Sequence, residues 1–188
     1  WHTPAFASLL QNTGSNRRLS PSDACREAKT YSDYFQDICR LQVGASCTAR
    51  TRILKGDGCS KSDSGYRCLF YLFGLGGLSG KVYWSAYDFQ DQSGYAQTFW
   101  TPLEVKDAKG NAVEDFTNIE ELIGAVPYRT SLGERFIFLF ATKMYGRSKK
   151  VVYAKYDLNN PGWQSDVTVL DFPVQSAVIK QQIGRAHV

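Results

Sequence analysis

Two stretches of the chain carry the same pattern of apolar and polar positions. One runs from Gly65 to Val105 and the other from Gly133 to Pro173. Each contains an aromatic-rich apolar run, a loop that includes glycine, a second apolar run that ends in Tyr-Asp, and then a tryptophan. Two copies of one unit predict a repeat fold.

The apolar runs predict paired β-strands. Phe136 to Phe140 is apolar at every position, so both faces of that strand are expected to be buried. The run Val151 to Tyr156 is its expected hairpin partner, because the glycine between the two runs favours a tight reversal. A turn and a further strand, Val167 to Leu170, follow. Each unit is therefore predicted to be a β-meander.

Matched positions of the two units lie at similar distances along the chain. Phe73 corresponds to Phe140, and the Tyr-Asp pair that begins at Tyr87 corresponds to the pair that begins at Tyr156. Trp100 corresponds in the same way to Trp163, at a slightly shorter separation. This spacing indicates that the strands are kept while the loops vary in length.

A helix is predicted before the first unit. Ser20 is suited to the N-cap, Pro21 to the first helical position, and Asp23 to a capping box. Gly44 is the expected end of the helix. An apolar stripe with helical spacing predicts packing against a sheet, and its members are Ala24, Ala28, Tyr31, Phe35 and Ile38.

Three shorter elements complete the prediction. Thr48 to Leu54 is expected to be a strand, and Ala125 to Thr130 another. Thr117 and Glu120 form a second capping box, which predicts a short helix through Ile123.

The resulting division of the chain has four parts. Residues 1–64 hold a linker, the helix and a cysteine-rich segment; 65–132 hold the first meander with a short helical insertion; 133–182 hold the second meander and a tail. Residues 183–188 are expected to be a non-native tail, because IGRAHV resembles a translated sequencing adapter.

Composition and charge narrow the classes of function. With 14% aromatic and 21% charged residues in 188, the chain has the composition of a folded globular protein. No apolar run reaches the roughly 18 residues that span a bilayer, so no membrane span is expected. The net charge of +4 comes without a concentrated Lys/Arg stripe, which disfavours nucleic acid as a partner.

All five cysteines lie between Cys25 and Cys68, a density that favours a secreted or extracellular protein. Cys25 and Cys39 are too far apart on a continuous helix to form a disulfide bond, at roughly 21 Å. Cys39, Cys47 and Cys59 are close enough in sequence for a local bridge. The alternative is buried reduced thiols, and the lack of a CxxC motif disfavours zinc.

No catalytic residue, cofactor or metal site is predicted. The glycine-rich loop Gly74 to Lys81 has the wrong spacing for a Walker loop, and Ser79 lacks the context of a nucleophile elbow. Asp88 and Asp157 recur at matched positions, whereas a catalytic pair of carboxylates is unique within a site. We therefore expect both aspartates to fix turns.

Aromatic side chains are the candidates for ligand binding. Trp84, Tyr95 and Tyr153 present flat apolar faces of the kind that stack on sugar rings. Tyr95 lies in a polar loop and is the candidate expected to be most exposed. Trp100 and Trp163 recur in the two units and are expected to pack in the core.

The two units resemble the blades of β-propellers, in particular sialidase-like and lectin-like propellers, through the segment KVVYAKYDL and the tryptophan after it. The resemblance covers Gly65 to Pro173. It implies a mainly β protein that forms part of an incomplete propeller. The sialidase Asp-box is only partly present, since Asp63 and Gly65 match it while Lys61 replaces its serine. A sialidase active site is therefore not carried over.

The resemblance favours a non-catalytic binding or scaffolding module of a larger β-propeller-like protein. Its expected partners are a glycan or protein ligand and the remaining blades of the parent chain. The alternatives are a fragment of a propeller-fold glycoside hydrolase whose catalytic residues lie mostly outside this chain, and a structural shell domain.

Overall fold

The computed structural model describes residues 3, 6–7, 9–11, 20–52, 66–88, 98–105, 116, 118–160 and 162–170. The fold is mainly β, with two antiparallel four-stranded sheets that follow an N-terminal helix. Tyr95, Cys59, Thr117 and the predicted tail at 183–188 lie outside the described residues.

The helix α1 spans Pro21–Cys39. The first sheet has the order β1-β2-β3-β4, and the second has the order β5-β6-β7-β8, so each is a meander as predicted. The strands of the first sheet are β1 Gln42–Arg52, β2 Tyr66–Leu75, β3 Val82–Tyr87 and β4 Thr101–Pro102. Those of the second are β5 Ile119–Arg129, β6 Arg135–Tyr145, β7 Ser148–Asp157 and β8 Gly162–Leu170.

The start of α1 has the predicted cap. Ser20 is in an extended conformation, and its Oγ accepts a hydrogen bond of 3.1 Å from the Asp23 N–H. The predicted end at Gly44 is wrong, because α1 ends at Cys39 and Gly44 lies within β1. The first sheet therefore begins at Gln42, well before the repeat predicted from Gly65.

The short helix predicted up to Ile123 is also wrong, because this segment belongs to β5. Ile119, Leu122 and Ile123 are all buried, at the spacing of three and four residues that is typical of a helix. In the structure that spacing arises from two β-bulges, which interrupt the alternation of a regular strand between Ile119 and Glu121 and between Leu122 and Gly124.

The register of the two central hairpins is the same. Phe73 lies opposite Trp84 between β2 and β3, and Phe140 lies opposite Tyr153 between β6 and β7. The sequence matches of β2 with β6 and of β3 with β7 therefore hold position by position. Trp163, by contrast, lies opposite Tyr156, whereas Trp100 precedes the Thr101 that faces Trp84. The two tryptophans do not occupy equivalent positions.

The first strands of the two sheets share an irregularity. Gly44 is the extra residue between Val43 and Ala45 of β1, where the register shifts. Ile123 is the extra residue between Leu122 and Gly124 of β5. Since Ala45 faces Phe73 and Gly124 faces Phe140, the two bulges stand at the same place in the repeat.

The core lies between the two sheets. On the first sheet, Tyr71, Phe73 and Trp84 share the face that meets the second sheet, and the second sheet contributes Tyr156 and Trp163. The Tyr156 and Trp163 rings are 4.9 Å apart at their centres. Buried aliphatic residues fill the rest of this interface, namely Ala45, Ala49, Val82, Leu122, Ala125, Ile137, Leu139, Val152 and Ala154.

The helix packs on the other face of the first sheet, and it does so through polar contacts. The predicted contact residue Phe35 is 57% exposed, so its assignment to the packing stripe is wrong. Asp37 is 3% exposed and binds Tyr83 and the β2–β3 turn, while Tyr34 donates a 2.7 Å hydrogen bond to the Trp100 carbonyl. These two residues turn Phe35, which lies between them, toward solvent.

Candidate functional site

A pocket of about 250 Å³ lies at one end of the seam between the sheets. Ala49 of β1 and Leu158, which follows β7, are its buried apolar residues. The remaining lining residues carry polar, charged or ring groups, and they are Thr48 and Arg50 of β1, Pro127, Tyr128 and Arg129 of β5, and Arg135 of β6.

Three arginines line this pocket. Arg129 and Arg135 face each other directly across the β5–β6 ladder, and Arg50 comes from the end of β1. Arginine is suited to carboxylate, sulfate and phosphate groups because its planar fork donates two parallel hydrogen bonds.

Tyr128 belongs to the pocket lining, but its side chain lies on the opposite face of the second sheet from Arg129, because adjacent residues of a strand alternate between faces and Tyr128 stands opposite Phe136. Its side chain is 54% exposed, and its ring lies 6.1 Å from that of Phe138 in an edge-to-face arrangement. Among the residues that the structure describes, the pocket lining includes no aspartate, glutamate, histidine, serine or cysteine.

The aromatic residues predicted from the sequence as ligand contacts do not lie together in the structure. Trp84 packs between the sheets, with ring centres 6.2 Å from Tyr71 and 5.5 Å from Tyr156, so it belongs to the core. Tyr153 lies on the opposite face of the second sheet beside Phe138 and Phe140. Neither lines the pocket, and Tyr95 lies outside the described residues.

The glycine-rich β2–β3 turn already holds an anionic group of the protein itself. The Asp37 carboxylate accepts hydrogen bonds from the Leu78 and Ser79 N–H groups, at 3.0 and 2.9 Å, and from the Ser79 and Tyr83 hydroxyls. A side chain at Gly76 would place its Cβ 2.7 Å from Asp37 Cγ, so glycine is required for this approach. Because the Leu78 and Ser79 N–H groups of the turn already bind Asp37, the role of the turn is structural.

The hydrogen bonds also set the ionisation of the two buried groups. Burial raises the pKa of Asp37, but the hydrogen bonds from Ser79, Leu78 and Tyr83 outweigh it, so the pKa lies below its ordinary value of 3.8. Burial, together with the hydrogen bond to Asp37, raises the pKa of Tyr83. Asp37 is thus held as the carboxylate and Tyr83 as the neutral phenol.

The recurring aspartates are both buried at the ends of β3 and β7. Asp157 Oδ1 accepts hydrogen bonds of 2.8 Å from the Asn159 N–H and 3.1 Å from the Asn160 N–H. The turn-fixing role predicted for Asp157 is therefore confirmed. Asp88 occupies the equivalent position, 7% exposed.

The cysteines that the structure describes are free thiols: Cys25, Cys39, Cys47 and Cys68. A bridge between Cys39 and Cys47 is therefore absent, because Cys39 is exposed on α1 while Cys47 points into the inter-sheet core. Burial raises the pKa of Cys47 to about 12, which keeps it as the unreactive thiol.

Sequence reasoning missed the arginine pocket, although one signal was present. The predicted reversal between Ala125–Thr130 and the second unit brings Arg129 close to Arg135 across a hairpin. The position of Arg50 depends on the packing of one sheet on the other, which the sequence pattern did not specify.

Comparison of the chain with protein-family models, curated proteins and solved structures finds no match. Within the described ranges, no helix combines the length and apolar character needed to cross a membrane. The same part of the chain holds no cluster of three metal-ligating side chains.

Proposed function

We propose that this chain is a non-catalytic binding module of a larger β-propeller-like protein and that it binds a glycan bearing a carboxylate or sulfate group. The observation that carries the proposal is the pocket at the sheet seam, which Arg50, Arg129 and Arg135 line from three different strands. The planar forks of the arginines suit the carboxylate or sulfate group of such a glycan.

The lining of the pocket favours binding over hydrolysis. Glycoside hydrolysis uses a pair of carboxyl groups on either side of the scissile bond. The lining residues within the described part of the chain supply none. The uncharged remainder of the lining, which includes Thr48, Ala49 and Leu158, is suited to contacts that orient a bound sugar.

The repeated sheets support membership of a larger protein. The two meanders have the same central register and the same bulge, and they stack through opposite faces of the unit. Propellers repeat such four-stranded sheets about four to eight times around an axis. Two of these sheets account for most of the chain that the structure describes.

Glycan binding is tested by screening the full chain against neutral, carboxylated and sulfated glycans, with acidic peptides on the same array. We expect binding to the anionic glycans, with a loss of about tenfold or more for Arg129→Ala, since a charged hydrogen bond contributes roughly 1.5–3 kcal/mol. Arg147→Ala is the matched control, because Arg147 is exposed in the β6–β7 turn.

Three results would count against this function. Binding to acidic peptides alone would identify a protein ligand, and equal losses for the two arginine variants would remove the pocket from the interaction. Release of a free sugar from a bound glycoside would make the protein an enzyme. Sequencing the natural reading frame outward tests the larger protein, and we expect further meander units there.

A further inference from the structure

The face of the second sheet that points away from the first is aromatic. Phe136, Phe138, Phe140 and Tyr153 lie on it, with the Phe138 ring 6.3 Å from Phe136, 6.5 Å from Phe140 and 5.7 Å from Tyr153. Phe138, Phe140 and Tyr153 are half-buried. The contacts among these rings all lie within the second sheet. We call these four residues the outer aromatic face.

By register, the outer aromatic face is equivalent to the face of the first sheet that packs against the second sheet. Phe138, Phe140 and Tyr153 stand at the positions that Tyr71, Phe73 and Trp84 hold in the first sheet. These three residues form the inter-sheet core: Phe73 lies 5.8 Å from Trp163 and Trp84 lies 5.5 Å from Tyr156, between ring centres.

The other faces of the two sheets are also equivalent in register, but they have different neighbours. The second sheet meets the first through the side that carries Ile137, Leu139 and Tyr156. The equivalent side of the first sheet, with Tyr83 and Tyr87, is turned toward α1. The sheets therefore pack head to tail, and an interface of this kind propagates from one unit to the next.

We propose that the outer aromatic face binds a third four-stranded meander, in the way that the first sheet binds the second. This inference rests on the proposed place of the chain in a larger propeller-like protein. The third sheet would present an aliphatic centre, with a tyrosine at the end of one strand and a tryptophan on the next, as Ile137, Leu139, Tyr156 and Trp163 do.

A lysine on the same side of the second sheet as the outer aromatic face adds a requirement. Lys155 stands where the first sheet has the buried Ala86, and its ammonium group lies 4.1 Å from the centre of the Phe136 ring. A buried charge requires a partner. The third sheet is therefore expected to place a carboxylate against Lys155.

A second copy of this chain is a poorer fit than a third sheet, because α1 covers the complementary face. Tyr83 on that face is 2% exposed and donates a hydrogen bond to Asp37 of α1. The Leu41 side chain, just after α1, lies against Gly74, where an added Cβ would be only 2.8 Å away. Head-to-tail docking of two copies would first have to displace the helix.

The first experiment releases the helix in the full chain. The double variant Tyr34→Ala/Asp37→Ala removes the hydrogen bonds of α1 to Trp100, Tyr83 and the β2–β3 turn. Sedimentation at micromolar concentration should show a monomeric parent chain and a variant whose mass at least doubles. Adding Phe138→Asp should restore the monomer. Adding Leu132→Asp should not, since Leu132 is 88% exposed in the β5–β6 turn.

Association that is insensitive to Phe138→Asp would overturn the proposal, as would a folded variant that stays monomeric with freely exchanging α1 amides. Association of the parent chain that Phe138→Asp abolishes would make a second copy the occupant.

If the Tyr34→Ala/Asp37→Ala variant fails to fold, a second experiment tests whether a third sheet covers the outer aromatic face. It compares the 188-residue chain with a longer product of the natural reading frame that includes the next unit. Phe138→Asp should lower the Tm of the longer product by about 5 °C more than that of the shorter chain, because only there is the ring fully buried. Equal losses would assign the face to a segment of this chain, such as residues 171–188. A reading frame without a further unit would instead refute the larger protein of the proposed function.

Discussion

The Asp37 carboxylate on α1 accepts a hydrogen bond of 2.9 Å from the Tyr83 hydroxyl on β3. Through the same carboxylate the helix holds the β2–β3 turn, at the Leu78 and Ser79 N–H groups. Asp37 thus joins the helix to both β3 and the β2–β3 turn, whereas the sequence predicts packing through an apolar stripe that does not include it.

Replacing Asp37 with alanine should lower the free energy of unfolding by about 3 kcal/mol, because four donors lose their charged acceptor. Urea denaturation measures the change. Asp33→Ala is the control, since Asp33 is exposed on the same helix and should change stability by less than about 0.5 kcal/mol. Similar losses for both variants would show that Asp37 does not hold the helix.

The stability that Asp37 provides should depend on pH in the acid range. Its pKa in the folded protein lies below the ordinary 3.8, so the contribution is complete above that value and is lost as the pH falls through it toward the folded pKa. Asp37→Asn cannot take up this proton. Its unfolding free energy should fall less between about pH 4 and 2 than that of the parent chain. Parallel pH profiles from chemical denaturation would contradict the assignment.

Phe73 and Phe35 should respond in opposite ways to truncation. Phe73 is 0% exposed between the sheets, so Phe73→Ala should cost about 3–5 kcal/mol through lost burial and a cavity. Phe35→Ala should change stability by less than about 0.5 kcal/mol, because the ring is 57% exposed. Thermal or urea unfolding distinguishes the two, and a large effect at Phe35 would restore the apolar stripe as the packing surface of α1.

Gly146 in the β6–β7 turn has φ of +62°, and an added Cβ would meet nothing within 4 Å. The cost of Gly146→Ala is therefore one of backbone conformation alone, about 1 kcal/mol. Gly146→Asn should cost less, because asparagine tolerates this region. Equal unfolding free energies for the alanine variant and the parent chain would mean that the turn changes its conformation at little cost.

The two hairpins were predictable because their signals are local. An apolar run, a loop with glycine and a second run fix the pairing of β2 with β3 and of β6 with β7, and the register matches the same residues as the sequence does. The helix start was predictable for the same reason, since Ser20 and Asp23 act within one turn.

The errors arose where a local pattern had two structural solutions. Thr117 and Glu120 fit a capping box, yet the segment up to Ile123 belongs to β5, whose bulges give Ile119, Leu122 and Ile123 a helical spacing. Phe35 fits a helical stripe, yet the hydrogen bonds of Tyr34 and Asp37 decide which side of α1 meets the sheet. The arginine pocket depends on contact between residues of different sheets, which no local pattern specifies.

The paired bulges at Gly44 and Ile123 bear on the origin of the protein. The flanking tripeptides, Val43-Gly44-Ala45 and Leu122-Ile123-Gly124, share no residue at any position, yet they interrupt the ladder at the same step. Nothing in the chemistry of isoleucine calls for an extra residue there. A backbone irregularity retained while every side chain around it has changed is what the duplication of one ancestral meander would leave behind, with the shape of the strand outlasting its sequence.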